Sequence, residues 1–168
     1  MSERSNIYCL DANVLIQAWQ KYYSPKLSPS YWELLDRLGA EGKLYLPQIV
    51  GDEISRTEDQ LSKWLTNSRI EIRPPDEKVT QSLTAVFAAN PLHVHLVDNI
   101  RQRSLADPWL IAHAIRDNAC VVTKEERIID TKSTRIRIPN VCDNMQVRCI
   151  NDFTLLEELG VRFECVVR

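Results

Sequence analysis

Short apolar runs alternating with helically spaced segments constrain this chain more than any other feature. Ile7 to Leu10, Leu44 to Pro47, Ile70 to Arg73, Cys120 to Thr123 and Val147 to Ile150 read as strands, and Ile136 to Pro139 as a further one. Between them, Ala12 to Tyr23 reads as a helix that gives way to a loop over Pro25 to Ser30. Ser30 and Glu33 look like a capping box ahead of Tyr31, Leu34, Leu35 and Leu38, with Gly39 and Gly42 near the exit. One helix is expected from Gln48 through Ile54, Leu61 and Leu65, and another through Val79, Leu83, Val86 and Phe87. Asn90 to Ser104 reads as a helix or a mobile loop, and Asp107-Pro108 as an N-cap followed by a first-turn proline. Asn151 opens a last helix, and Phe163 to Val167 is a candidate edge strand. Alternation of this kind predicts an α/β fold, with a mainly parallel sheet covered on both faces by helices. At 168 residues, 44% of them hydrophobic, the expectation is one domain spanning residues 1–168.

In such a sheet each crossover helix starts at the carboxyl edge of the preceding strand, so residues just after strands gather on one edge. Asp11, Glu53, Asp107 and Glu125 all fall there. Each has an ordinary reading: Asp11 and Asp107 as helix caps, Glu53 as a solvated helix residue, Glu125 as a turn acid. An ionised Asp11 at the end of a buried strand nevertheless requires a positive partner, whether a helix N-terminus, a basic side chain or a metal ion. Carboxylates gathered together repel one another, and one or two divalent cations relieve that repulsion. Oxygen-only donors select hard ions, so Mg²⁺ or Mn²⁺ is the expected cofactor, and phosphodiester hydrolysis is the chemistry that follows.

A net charge of −2 provides no global attraction to polyanions, so contact with nucleic acid must come from local basic groups. The candidates are Arg101, Arg103, Lys124, Arg127, Lys132, Arg135 and Arg137, which flank the third and fourth acids and equally suit a solvated face. Trp32, Trp64 and Trp109 could stack on bases, but their spacing favours packing. Cys9, Cys120, Cys142, Cys149 and Cys165 include no Cys-x-x-Cys pair and read as reduced thiols; with the three histidines they match no structural zinc spacing. No signal-like segment and no membrane-length apolar run is evident, so a cytoplasmic protein without membrane association is expected.

Tyr8-Cys-Leu-Asp-Ala-Asn-Val-Leu-Ile16, Gly51-Asp-Glu-Ile54, Ala106-Asp-Pro-Trp-Leu-Ile-Ala-His-Ala114 and Val121-Val-Thr-Lys-Glu125 resemble the successive acidic motifs of PIN-domain nucleases. The resemblance covers most of the chain and is nearest to an uncharacterised bacterial and archaeal PIN-like family, whose tail is similar to Arg137–Cys142 and Val147–Ile150. It implies a three-layer α/β/α sandwich and Mg²⁺- or Mn²⁺-dependent cleavage of RNA. Asp11 then corresponds to the first metal ligand, Glu53 to the second acid, Asp107 to the third and Glu125 to the fourth. Many relatives have Asp at that last position, and Glu126 competes for it. Asn13 and Thr123 match the polar residues that bond to the metal-binding groups. Similarity to VapC-like toxins further implies an antitoxin partner and a homodimer. Two rival readings stand beside this one. The first is a PIN-like module that binds RNA or protein without cutting. The second, a haloacid-dehalogenase-like phosphatase, is disfavoured because Asn13 stands where its second Asp would be.

Overall fold

The computed structural model describes residues 6–57, 59–97 and 105–168. Its centre is a five-stranded, wholly parallel sheet in the order β3-β2-β1-β4-β5. The strands are β1 (Tyr8–Leu10), β2 (Leu44–Pro47), β3 (Glu71–Arg73), β4 (Cys120–Val122) and β5 (Cys149–Ile150). Every residue of β1, β2 and β4 is buried, as expected of parallel strands covered on both faces.

Eight α-helices connect and flank these strands: α1 (Ala12–Gln17), α2 (Pro29–Ala40), α3 (Gln48–Ser55), α4 (Gln60–Asn67), α5 (Glu77–Ala89), α6 (Ala106–Asp117), α7 (Ile138–Asn144) and α8 (Asp152–Glu158). Helices α2 and α3 pack on β2, α6 on β1, β2 and β4, and α7 on β5. The result is the expected α/β/α sandwich. The exit of α2 shows how closely these layers fit. Gly42 adopts φ +70°, a left-handed turn, while a Cβ on Gly39 would stand 2.7 Å from the Ile70 backbone.

Several local expectations are corrected. The α2 N-cap is Ser28 with Pro29 in the first turn, so the Ser30–Glu33 capping box does not form. The helix expected from Gln48 to Leu65 breaks into α3 and α4, because the Asp59 side chain accepts the Ser62 N–H and caps a new start. Pro91–Leu96 forms a 3₁₀ turn within the uncertain Asn90–Ser104 stretch. Ile138 and Pro139 open helix α7 instead of a strand, and Phe163 to Val167 joins no strand. The Ala12–Tyr23 helix changes to a π-helical turn over Ala18–Tyr22.

The aromatic residues mostly close the core. Trp32 is buried, donates its Nε1–H to the Tyr23 carbonyl at 2.6 Å, and meets Trp19 and Trp64 edge-on, each at 4.8 Å between centroids. Trp32 and Trp64 thus serve packing. All five cysteines are free thiols. No helix among the described residues is long and apolar enough to cross a membrane.

Candidate active site

The strand order creates the site. From central β1 the chain runs outward to β2 and β3, then returns to the other side of β1 for β4 and β5. The crossovers therefore diverge between β1 and β4, leaving a crevice at their carboxyl ends. The Asp11 N–H extends this pairing by donating to the Val122 carbonyl at 3.0 Å. Beyond it lies a cleft of about 240 Å³ lined by Asp11, Asn13, Ile16, Gln17, Glu53, Asp107 and Glu125. The four acids arrive from four separate places in the fold.

Asp11 is 6% exposed and makes no side-chain capping bond to α1. Its Oδ2 instead accepts a hydrogen bond from the Thr123 hydroxyl at 2.8 Å. Burial, above all, raises its pKa from 3.8 to about 7, and the Glu125 and Glu53 charges push in the same direction. The Thr123 bond and the Ala12 N–H only partly offset them. Asp107 is buried in the first turn of α6, whose N-cap is Leu105, so it lies one turn deeper than a cap. Carboxylate charge is favoured at that end of a helix. Glu53 is half-buried in the second turn of α3.

Thr123 organises the opposite wall. Its Oγ1 donates to Asp11 and accepts from the Glu125 N–H at 3.1 Å and from Asn13 Nδ2 at 3.4 Å. Asn13 Oδ1 in turn accepts the Lys124 N–H at 3.0 Å. This mesh ties the first residues after β1 to those after β4, so the loop bearing Glu125 moves with Asp11. Glu125 also accepts the Ile138 N–H through Oε2 at 3.0 Å, satisfying a free donor at the start of α7. Glu126 is exposed and does not line the cleft.

Four oxygen donors around one cleft, one of them buried and destabilised as an anion by two others, suit a hard divalent cation. The side chains surround the cleft without converging: among the described residues no three His, Cys, Asp or Glu stand as a ready-made metal-holding group. Holding an ion would draw them inward.

The basic residues separate into different roles. Arg101 and Arg103 lie outside the described residues. Lys124, read from the sequence as a phosphate contact, is corrected: its side chain is 9% exposed and its Nζ lies 2.8 Å from buried Asp152. Arg127 pairs with Asp143 at the surface, 2.7 Å away. Lys132 and Arg135 are exposed and Arg137 half-buried. Trp109 lines a separate cleft of about 250 Å³ with Gln48, Ile49, Asp52, Pro75 and His113. The sequence reading missed Asp152, Tyr22 and Phe153, which surround the Lys124 ammonium. A strand-end lysine has no local pattern that names its partners.

A parallel sheet in this order, with an acidic crevice at the switch between β1 and β4, defines a PIN-like domain. Residues 8–163 match the model of a family described as "Domain of unknown function (DUF4411)", and the chain belongs to that family. No curated protein matches. Among solved structures, the chain is similar to VapBC2 from Rickettsia felis bound to a DNA fragment from their promoter. That match has a TM-score of 0.54 and 23% identity, covering 86% of this chain and 98% of the other. It is also similar to FitAcB from Neisseria gonorrhoeae, with a TM-score of 0.53 and 15% identity, covering 88% and 99% respectively. At these identities the likeness concerns the fold.

Proposed function

We propose that this protein is a Mg²⁺- or Mn²⁺-dependent endoribonuclease, the toxin of a toxin–antitoxin pair. The observation that carries the reading is the cleft at the β1/β4 switch, where Asp11 is buried against Glu53, Asp107 and Glu125. These four residues would hold the cation, which when bound supplies charge to polarise a phosphoryl oxygen and acidify an attacking water. Asp11 must lose its proton first, and the Thr123 hydroxyl holds its carboxylate in one orientation. Asn13 and Thr123 keep the Glu125 loop against Asp11. Glu53 and Glu125 stand at the cleft wall, where a carboxylate can take a proton from water.

The folds of VapBC2 and FitAcB support an antitoxin partner. An antitoxin Arg placed among the acids would replace the cation's charge. A homodimer in the cytoplasm completes the reading. Exposed Lys132 and Arg135 are the described residues best suited to phosphate contact.

The test is cleavage of end-labelled RNAs by protein stripped of any partner, with Mg²⁺, Mn²⁺ or EDTA. Cutting that needs either metal and is lost in Asp11→Asn and Asp107→Asn supports the nuclease. Intact RNA with folded, partner-free wild type overturns it in favour of a binding module.

A further inference from the structure

Beside the acidic cleft, two aromatic rings are exposed where the fold had every opportunity to bury or replace them. Tyr22, at the end of the π-helical turn, is 44% exposed, and Phe153, in the first turn of α8, is 46% exposed. They meet edge to face, 6.0 Å between centroids with an 80° interplanar angle. The Lys124 Nζ lies 4.3 Å from the Tyr22 centroid and 4.2 Å from the Phe153 centroid, so one ammonium braces both rings. The backbone beneath is also fixed, because Asn151 Oδ1 accepts the Thr154 N–H at 2.8 Å and sets the α8 start.

That ammonium is held at some cost. Asp152 is 1% exposed and bonds Lys124 through Oδ1, while its Oδ2 is buried without a hydrogen-bond partner. An incompletely satisfied buried ion pair is a poor device for stability alone. Its geometric effect is to pin two rings rigidly at the surface, so that contact with them costs little side-chain entropy.

We propose that Tyr22 and Phe153 form a stacking platform for an unpaired nucleobase, which rests on the reading of the neighbouring cleft as an RNA-cutting site. Lys124 connects the two places. Its N–H bonds Asn13, which lines the cleft, it sits between Thr123 and Glu125 in the chain, and its side chain reaches under both rings. One lysine side chain therefore separates the platform from the acids, and a strand passing over the cleft would bring a neighbouring base onto the rings. A duplex keeps its base faces stacked internally, whereas a single strand offers them to aromatic side chains. The platform thus assigns single-stranded RNA, or an unpaired loop, as the substrate. Two rings are too small a patch for a stable protein interface by themselves.

The test measures binding in EDTA, where metal-dependent cutting cannot proceed. A single-stranded oligoribonucleotide carrying 2-aminopurine and the same sequence in duplex form are titrated against wild type and against Tyr22→Leu/Phe153→Leu. Leucine keeps an apolar side chain and removes the ring face. Wild type is expected to bind the single strand more tightly than the duplex and to quench 2-aminopurine. The double variant should lose about tenfold or more in single-strand affinity together with the quenching. Tyr22→Phe/Phe153→Tyr should restore both, and matching thermal melts establish that all forms are folded. Equal affinity for single strand and duplex, or a double variant that binds like wild type, overturns the platform. Absence of cutting by wild type with Mg²⁺ or Mn²⁺ would count only against the nuclease reading, because the binding assay contains no metal.

Discussion

Two buried aspartates near the end of β4 are treated in opposite ways by the fold. Asp152 has a cation of its own, Lys124 at 2.8 Å, whereas Asp11 faces Glu53 and Glu125 and its carboxyl is pushed up to about 7. Asp152 completes a structural brace; Asp11 is placed where the protein's own charges make ionisation unfavourable. A buried acid with a local cation stabilises its surroundings only as a pair, but one set among other acids gains its full value from a cation supplied from outside. Lys124 belongs to both worlds, since its backbone holds Asn13 beside the cleft while its side chain serves Asp152.

The comparison can be broken hardest at Lys124. Lys124→Met should strand the buried Asp152 carboxylate and destabilise the fold by about 3–5 kcal/mol, measured by urea unfolding. Adding Asp152→Leu should return most of that loss, as both partners are then apolar. The next effect belongs to the cleft. Asp107→Asn should lower metal-dependent RNA cutting by roughly 10²–10³-fold, while its urea midpoint falls little or rises. Smaller again, Thr123→Val keeps the shape but removes the hydroxyl that orients Asp11 and receives the Glu125 N–H. Cutting should fall about 10–100-fold, with a parallel loss of metal affinity in calorimetry.

The finest distinction is in pH. The Asp11 carboxyl is raised from 3.8 to about 7 in the folded protein, so the fold prefers its protonated form. Its contribution to stability is therefore fully present below pH 3.8 and is lost as the pH rises through about 7. Metal-free wild type should lose on the order of 1–2 kcal/mol from this group between pH 5 and 8, and Asp11→Asn should flatten that slope in urea titrations. Divalent-cation affinity should run the other way, climbing to about pH 7 and then levelling as Asp11 deprotonates. A slope unchanged by Asp11→Asn would remove the contrast between the two aspartates.

Much of this was readable from residue order alone. The alternation of buried runs with helical segments specifies the α/β class, since a strand buried on both faces needs helices to cover it. The topology of such folds then brings acids that follow strands to a common edge, which is how Asp11, Glu53, Asp107 and Glu125 could be grouped before any coordinates. The misreadings occurred where a distant group decides. Ile136 to Pro139 alternates like a strand, yet Asn140 Oδ1 accepts the Arg137 N–H and Glu125 accepts the Ile138 N–H, and together they start a helix. The latter bond spans thirteen residues and has no local signature.

The sequence by itself determined the layer architecture and the identity of the acids, because periodicity and burial are properties of neighbouring residues. Only the tertiary structure decided which charges meet. It turned Lys124 inward to Asp152, bound Asp11 to Thr123, and left Tyr22 and Phe153 exposed over a buried ammonium. Those outcomes depend on distances between elements far apart in the chain, and the electrostatic cost of each group is set by those distances.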